Sequence, residues 1–334
     1  MVLLLGRRTA GNWCLPSRPW RGDGMSPATP PESRAAACST SGVPGCSLQG
    51  GRPVGEPLPD PRPAPAVETA GGDEELLPAP AHPWEFPLLA VCVAITLALA
   101  AAGLHLLWTL TASLLWTLVP VPTLLAVCWI ARGLRYARHR AESVKVSPTQ
   151  FPETHRLVTS LSEAMGLARA PEVYVSTERR PRHTDASAHG LRRYLVLCHD
   201  VFEVGEQGRD PEALAFLVAH QLGHLAAGHT GYWRRIATLG AELVPGAGAA
   251  LSRAQEYTAD HHAHAHLPEA AHAVRLLAGG RRLYRRVNMG EMADRARTDR
   301  GCSLLLYHLL VRRPSNTRRM AALRDRTRRG RVFL

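Results

Sequence analysis

Residues 218–229 read VAHQLGHLAAGH. Two histidines stand four apart, and residues at that spacing on an α-helix differ in direction by only about 40°. His220 and His224 therefore project from one face, one turn apart, where both imidazoles can reach a single cation. The helix has clear ends. Asp210 is a capping carboxylate, Pro211 falls where a missing N–H does no harm, Glu212 sits near the positive end of the helix dipole, and Gly228 is a terminator. Neutral imidazole is a good zinc ligand, and the spacing is that of the zinc-binding H-E-x-x-H helix. The position after the first histidine, however, holds Gln221.

A hydrolytic zinc site needs a third protein ligand. A second helix, LSRAQEYTADHHAHAH (251–266), follows a break at VPGAGA and ends at Pro268. It offers Glu256, with Asp260 one turn beyond to accept a hydrogen bond from a ligand histidine's outer nitrogen. A histidine pair at this spacing counts for little alone; followed by E-x-x-x-D on a second helix it is far more specific. His229 is poorly placed as a ligand, about 140° around the helix from His224 and beyond Gly228. His261, His262, His264 and His266 point in several directions and read as a partly solvated flank.

The rest of the chain sets this pair of helices in context. Residues 1–85 are rich in Pro, Gly, Ser and Ala and are expected to be disordered, having too little apolar surface to offset ordering entropy. MVLLLG is too short for a signal-peptide core, and Met25 is an alternative first residue. Residues 86–131 contain no Asp, Glu, Lys or Arg. They hold two candidate spans of about 20 residues, separated near Thr109–Ser113, with Pro120 and Pro122 expected to kink the second. Arg132, Arg135, Arg138, Arg140 and Lys145 crowd the exit, and the positive-inside rule then predicts an integral membrane protein whose C-terminal part, 132–334, is cytoplasmic. The seven cysteines are odd in number and without C-x-x-C spacing, as suits a reducing compartment rather than a disulfide framework. The formal charge of +12 comes largely from C-terminal runs such as RRLYRR and RDRTRRGR. These suit anionic membrane lipids or a solvated face; nucleic acid is not expected, because no aromatic residues are interleaved with the charge.

Between the apolar segment and the histidine helix, Pro152–Met165 has helical periodicity, and PEVYV (171–175) and RYLVLCHDVF (193–202) read as strands joined by a long hairpin connection. After Pro268, two more helices are predicted over roughly 268–286 and 291–312. The fold class is mainly α with a small β-sheet of two to four strands, an α+β domain preceded by a helical hairpin.

Residues 150–325 resemble the HtpX-like and CAAX prenyl endopeptidase family of membrane-bound zinc metallopeptidases. AHQLGH is similar to that family's H-E-x-x-H helix, SRAQEYTAD (252–260) to its S-R-x-x-E-[YF]-x-A-D helix, PEVYV to the strand leading to its substrate groove, and RPSNTRRMAALR to its closing H-P-x-x-x-x-R segment. The resemblance implies a zincin-like fold and one Zn²⁺ held by His220, His224 and Glu256. It also implies Asp260 as the partner of a ligand histidine, and Arg319 near the scissile carbonyl. The groove segment would be Asp185, Ala186, Ser187 and Ala188. Three positions depart from the family pattern: Gln221 replaces the general base, Arg313 a histidine, and Ser187 and Asp185 an aromatic and an amide. An amide cannot take a proton from the attacking water, and the loss is at least about 10²–10⁴-fold. Two functions are expected. One is a membrane-anchored zinc metalloendopeptidase acting on membrane-associated or misfolded polypeptides, with His189 or a histidine of the HHAHAH run replacing the base. The other is an inactive zinc-binding module that holds a polypeptide client.

Overall fold

The structure, a computed structural model, describes residues 80–177, 184–206, 210–325 and 329–333. The expected disorder of 1–85 falls, up to residue 79, outside these residues, as do parts of the connection 176–192 and of the basic tail. Residues 80–85 lead into α1 (Glu85–Thr111), which reverses at Ala112 and returns as α2 (Leu114–Leu118) and α3 (Pro120–Glu142). There follow β1 (Val144–Lys145), α4 (Pro152–Ala164), β2 (Glu172–Ser176), β3 (Thr184–His189), β4 (Arg192–Cys198), α5 (His199–Glu206), α6 (Pro211–Ala226), α7 (Tyr232–Ala237) and α8 (Ala247–His266). The chain closes with α9 (Val274–Leu283), α10 (Met289–Thr298), α11 (Cys302–Leu310) and α12 (Asn316–Arg324). The molecule is mainly helical with a small mixed sheet, as the residue patterns predict.

Two helices, Glu85–Thr111 and Leu114–Glu142, are long and apolar enough to cross a membrane. The reversal at Ala112, φ 49°, falls inside the predicted separation. The interruption at Val119 precedes Pro120 and Pro122, whose missing N–H groups break the helical hydrogen-bond ladder there. The domain grips the base of this hairpin. Leu88 and Cys92 are buried, and Thr96 Oγ1 accepts from the Gly240 amide at 3.1 Å. On the other arm, Tyr232 Oη donates to the Leu125 carbonyl at 2.7 Å and Arg132 to the Thr230 carbonyl at 2.8 Å.

The sheet order is β1-β2-β4-β3. β2 and β4 are not a hairpin: they run parallel, and the connection between them contains β3, which pairs antiparallel with β4 at the sheet edge. The segment DASAHG has few β-branched residues, so its strand character comes from its neighbour rather than from propensity. The end of the second predicted strand, HDVF, instead begins α5. The stretch predicted as one helix over 291–312 is two, divided at Gly301.

α6 runs through the core with nearly every residue buried, so past Glu212 its sequence is apolar on all sides except at the histidines and Gln221. Asp210 caps it as predicted, accepting from the Ala213 amide at 2.9 Å. α8 crosses α6 at Gly223, where an added Cβ would lie 2.8 Å from His262 Cβ and 3.2 Å from the Ala259 carbonyl oxygen. Only hydrogen lets the two helices approach this closely. Gly223→Ala is expected to cost about 1–3 kcal/mol by overpacking, less up to about 1 kcal/mol of helix propensity. Thermal unfolding measures that cost. The variant should also bind metal more weakly, since the site spans both helices.

Candidate metal centre

α6 supplies His220 and His224, and α8 supplies Glu256. One ligand atom from each lies within 4.8 Å of the others, so the three can hold a metal ion. The expectation that two helices bring these residues to one point is met. His220 Nε2 is 3.5 Å from Glu256 Oε2, and that oxygen is buried without a hydrogen-bond partner among the described residues. A buried carboxylate oxygen in that condition is costly, and a cation between it and the imidazoles would satisfy it. The residues present fit a divalent ion.

Each imidazole has its outer nitrogen occupied. His220 Nδ1 lies 2.8 Å from Asp260 Oδ1, so Nδ1 donates and Nε2 keeps its lone pair toward the centre. His224 Nδ1 lies 2.8 Å from His229 Nδ1, while His229 Nε2 lies 2.9 Å from Glu85 Oε1. Glu85 can only accept, so His229 donates from Nε2, accepts at Nδ1, and leaves His224 with its Nε2 lone pair free. Both ligands are thereby held in the metal-binding tautomer.

No sequence pattern points to this second chain of contacts. His229 is not a ligand; it is the partner of one. The cause is local. Gly228 adopts φ 70°, the Gly228 amide bonds the Leu225 carbonyl at 3.2 Å and the His229 amide the His224 carbonyl at 3.0 Å. These are the two bonds of a helix-ending turn that folds the next residue back over the last one. Extrapolating helical directions past Gly228 therefore misplaces His229. Glu85, grouped by composition with the N-terminal region, is the first residue of α1 and is buried. Its carboxylate also accepts from Arg234 Nη2 and Thr258 Oγ1, each at 2.6 Å. An acid at the head of an apolar helix is an ordinary sight, and no sequence signal ties it to a histidine 144 residues away.

Glu85→Ala would leave Arg234 and His229 facing a buried void. The expected destabilisation is about 3 kcal/mol or more, the scale for breaking a buried pair. Zinc affinity, read by competition with a chromophoric chelator, should fall about 10–100-fold as His224 loses its orienting chain. Unchanged affinity would show that His224 needs no such support.

Arg319, carried by α12 behind the Ser315 cap, is buried and grips Asp260 with two nitrogens, Nε at 2.8 Å from Oδ2; its Nη1 lies 4.0 Å from Glu256 Oε2. Arg313 reaches the same ligand from the other side, Nε 3.0 Å from Glu256 Oε1. Burial favours neutral acids here, but the neighbouring cations and His220 outweigh it and hold Asp260 and Glu256 well below the usual carboxylate range. Burial, with His220 nearby, drives the His224 pKa well down, so this ring stays neutral and available to a metal. Burial also opposes a charge on His220, yet Asp260 outweighs it and raises the pKa. Metal and proton thus compete for His220 Nε2, and acid weakens metal binding.

Gln221 is 2 % exposed and donates from Nε2 to Thr184 Oγ1 at 2.7 Å, fastening the amide to the first residue of β3. Asp185, Ala186, Ser187 and Ala188 follow on that strand, half-buried beside α6. Of the candidate replacement bases, His189 packs against Trp129 with ring centroids 4.7 Å apart and tilted by 47°, and in the HHAHAH run the Cβ of His262 abuts the crossing at Gly223.

No protein-family model matches the chain, and no curated protein or solved structure is significantly similar to it. What the chain does must be argued from its own residues.

Proposed function

We propose that this chain is a zinc-binding protein of metallopeptidase descent, anchored by its apolar hairpin with the domain on the cytoplasmic side, that holds a polypeptide without hydrolysing it. Two imidazoles and one carboxylate in a buried setting suit zinc above magnesium or calcium, which favour oxygen sets. When bound, the ion supplies Lewis acidity to a carbonyl and acidity to water. Proton transfer remains for the chain's own groups to perform.

The observation that carries the reading is Gln221. Its amide occupies the place of the base, and the other acids and histidines near the three ligands are already engaged: Asp260 with His220 and Arg319, His229 with His224 and Glu85, Glu85 with Arg234 and Thr258. None of these stands free to take a proton from an attacking water and deliver it to a leaving amine. β3 offers a client strand a seat. β3 is an edge strand, and an extended segment can add to such an edge through main-chain hydrogen bonds, with Gln221 and Thr184 at its head.

The test is casein turnover by the full chain in detergent with one equivalent of zinc. Wild type is expected to cut no faster than His220→Ala. Cleavage by wild type that His220→Ala abolishes would overturn the proposal in favour of an active endopeptidase.

A further inference from the structure

α11 turns apolar residues outward. His308 is buried toward the domain, while Leu305, Leu306, Tyr307, Leu309 and Leu310 are 42–55 % exposed. Such a contiguous face on a folded domain marks a contact surface.

This face is continuous with the base of the hairpin. The loop 240–246 closes at one end on Thr96 of α1, through the Gly240 amide. Two residues on, Glu242 pairs with Arg312 at 2.6 Å, and at the other end Gly246 gives room to Leu309, whose Cδ1 would lie 3.1 Å from an added Cβ. Leu243 and Val244 of the same loop are themselves exposed. Alongside α11 runs a groove of about 730 Å³ with Leu304 and Leu305 among its lining. It is also lined by Arg295, Arg297, Arg300, Arg318 and Arg331 against one acid, Asp299. Asp299 pairs with Arg295 at 3.2 Å and Asp325, outside the lining, with Arg297 at 3.5 Å, which leaves Arg300, Arg318 and Arg331 without an ion-pair partner among the described residues.

The hairpin's length points the same way. Beyond Thr96 the first arm has only Leu97–Thr111 free of the domain, about 22 Å at about 1.5 Å per residue. The second arm is held as far up as Leu125. A hydrocarbon core is about 30 Å thick. If the hairpin spans, the domain surface level with Thr96 must enter the interfacial region, where amphipathic helices lie about 5–10 Å deep.

We propose that α11 lies in the membrane interface with Leu306 and Leu310 among the acyl chains, and that the arginine groove beside it takes the phosphate of an anionic phospholipid. The inference rests on the reading of α1–α3 as a membrane hairpin. An apolar helix flanked by a cationic groove has the polarity of a phospholipid, and each cation near an anionic surface contributes on the order of 1 kcal/mol.

The full chain, with native cysteines replaced by serine, is reconstituted at one copy per nanodisc of phosphatidylcholine, with or without phosphatidylglycerol. Spin labels are placed at L306C, at L99C in the hairpin and at S160C on α4. Collisions with a nickel chelate at 306 are expected to be on the order of tenfold fewer than at 160, the result for a site at interfacial depth. Phosphatidylglycerol should deepen that shielding, and R297Q/R300Q/R331Q should remove the lipid dependence. A shielded 99 with a fully wet 306 overturns this inference alone; a wet 99 overturns the membrane anchor itself. Shielding at 306 that ignores both lipid charge and the arginine variants overturns the headgroup site. Shielding that appears only with two copies per disc assigns the face to self-association and overturns the proposal.

Discussion

Gln221→Glu is expected to convert an inert chain into one that cleaves casein, a gain of at least about 10²–10⁴-fold over wild type, the range general acid–base catalysis contributes. Wild type already presents a triad that could hold a metal, with both imidazole tautomers set and a buried setting. The missing piece is a group that accepts a proton at the first ligand's neighbour and releases it to the leaving nitrogen. The substitution is nearly isosteric, and Thr184 can reverse its hydrogen bond, its hydroxyl donating to the new carboxylate where it now accepts from the amide. Zinc content should be unchanged. A variant that binds zinc yet stays inert would shift the blame to Arg313, since a permanent cation 3.0 Å from the ligand Glu256 cannot exchange protons as a histidine can. Arg313→His added to Gln221→Glu would then be the variant to cleave.

The second large effect concerns the metal. His224→Ala and Glu256→Gln should each weaken zinc by about 10³-fold in a competition titration. Protein zinc sites gain about 10–16 kcal/mol in total, and one of three ligands carries roughly a third of that. The two variants should differ in stability. His224→Ala leaves His229 without its donor, whereas Glu256→Gln removes a charge that Arg313 and Arg319 both face, so the metal-free fold should suffer more from the latter. Equal zinc binding by wild type and His224→Ala would show that the centre is not built from these residues.

How far the molecule could be read beforehand follows from what each feature depends on. The ligand set was legible because it rests on local spacing: i, i+4 on one helix, and E-x-x-x-D on another. Asp260 was legible for the same reason, and it sits on His220 as expected. The hairpin was legible from an uninterrupted absence of charge. The sheet was read less well. β2 and β4 are apolar runs that announce themselves, but β3 lies between them in sequence and lets them pair parallel, and its residues, TDASAH, carry little strand signal of their own. The support of His224 was not legible at all. It depends on a turn at Gly228 reversing the chain and on a carboxylate from the far end of the sequence, and neither leaves a pattern in a linear reading.

That carboxylate has a practical bearing on how the protein is handled. Chains with long apolar helices are commonly trimmed of them before purification, and here the obvious cut would fall just after the apolar stretch. Such a product would lack His82, which donates its amide to Thr258 and stacks on Tyr257, and Glu85, which closes the back of the centre. The first turn of α1 supports the candidate centre through His229, so a preparation without it would be missing a component, and a negative result from it would describe the truncation.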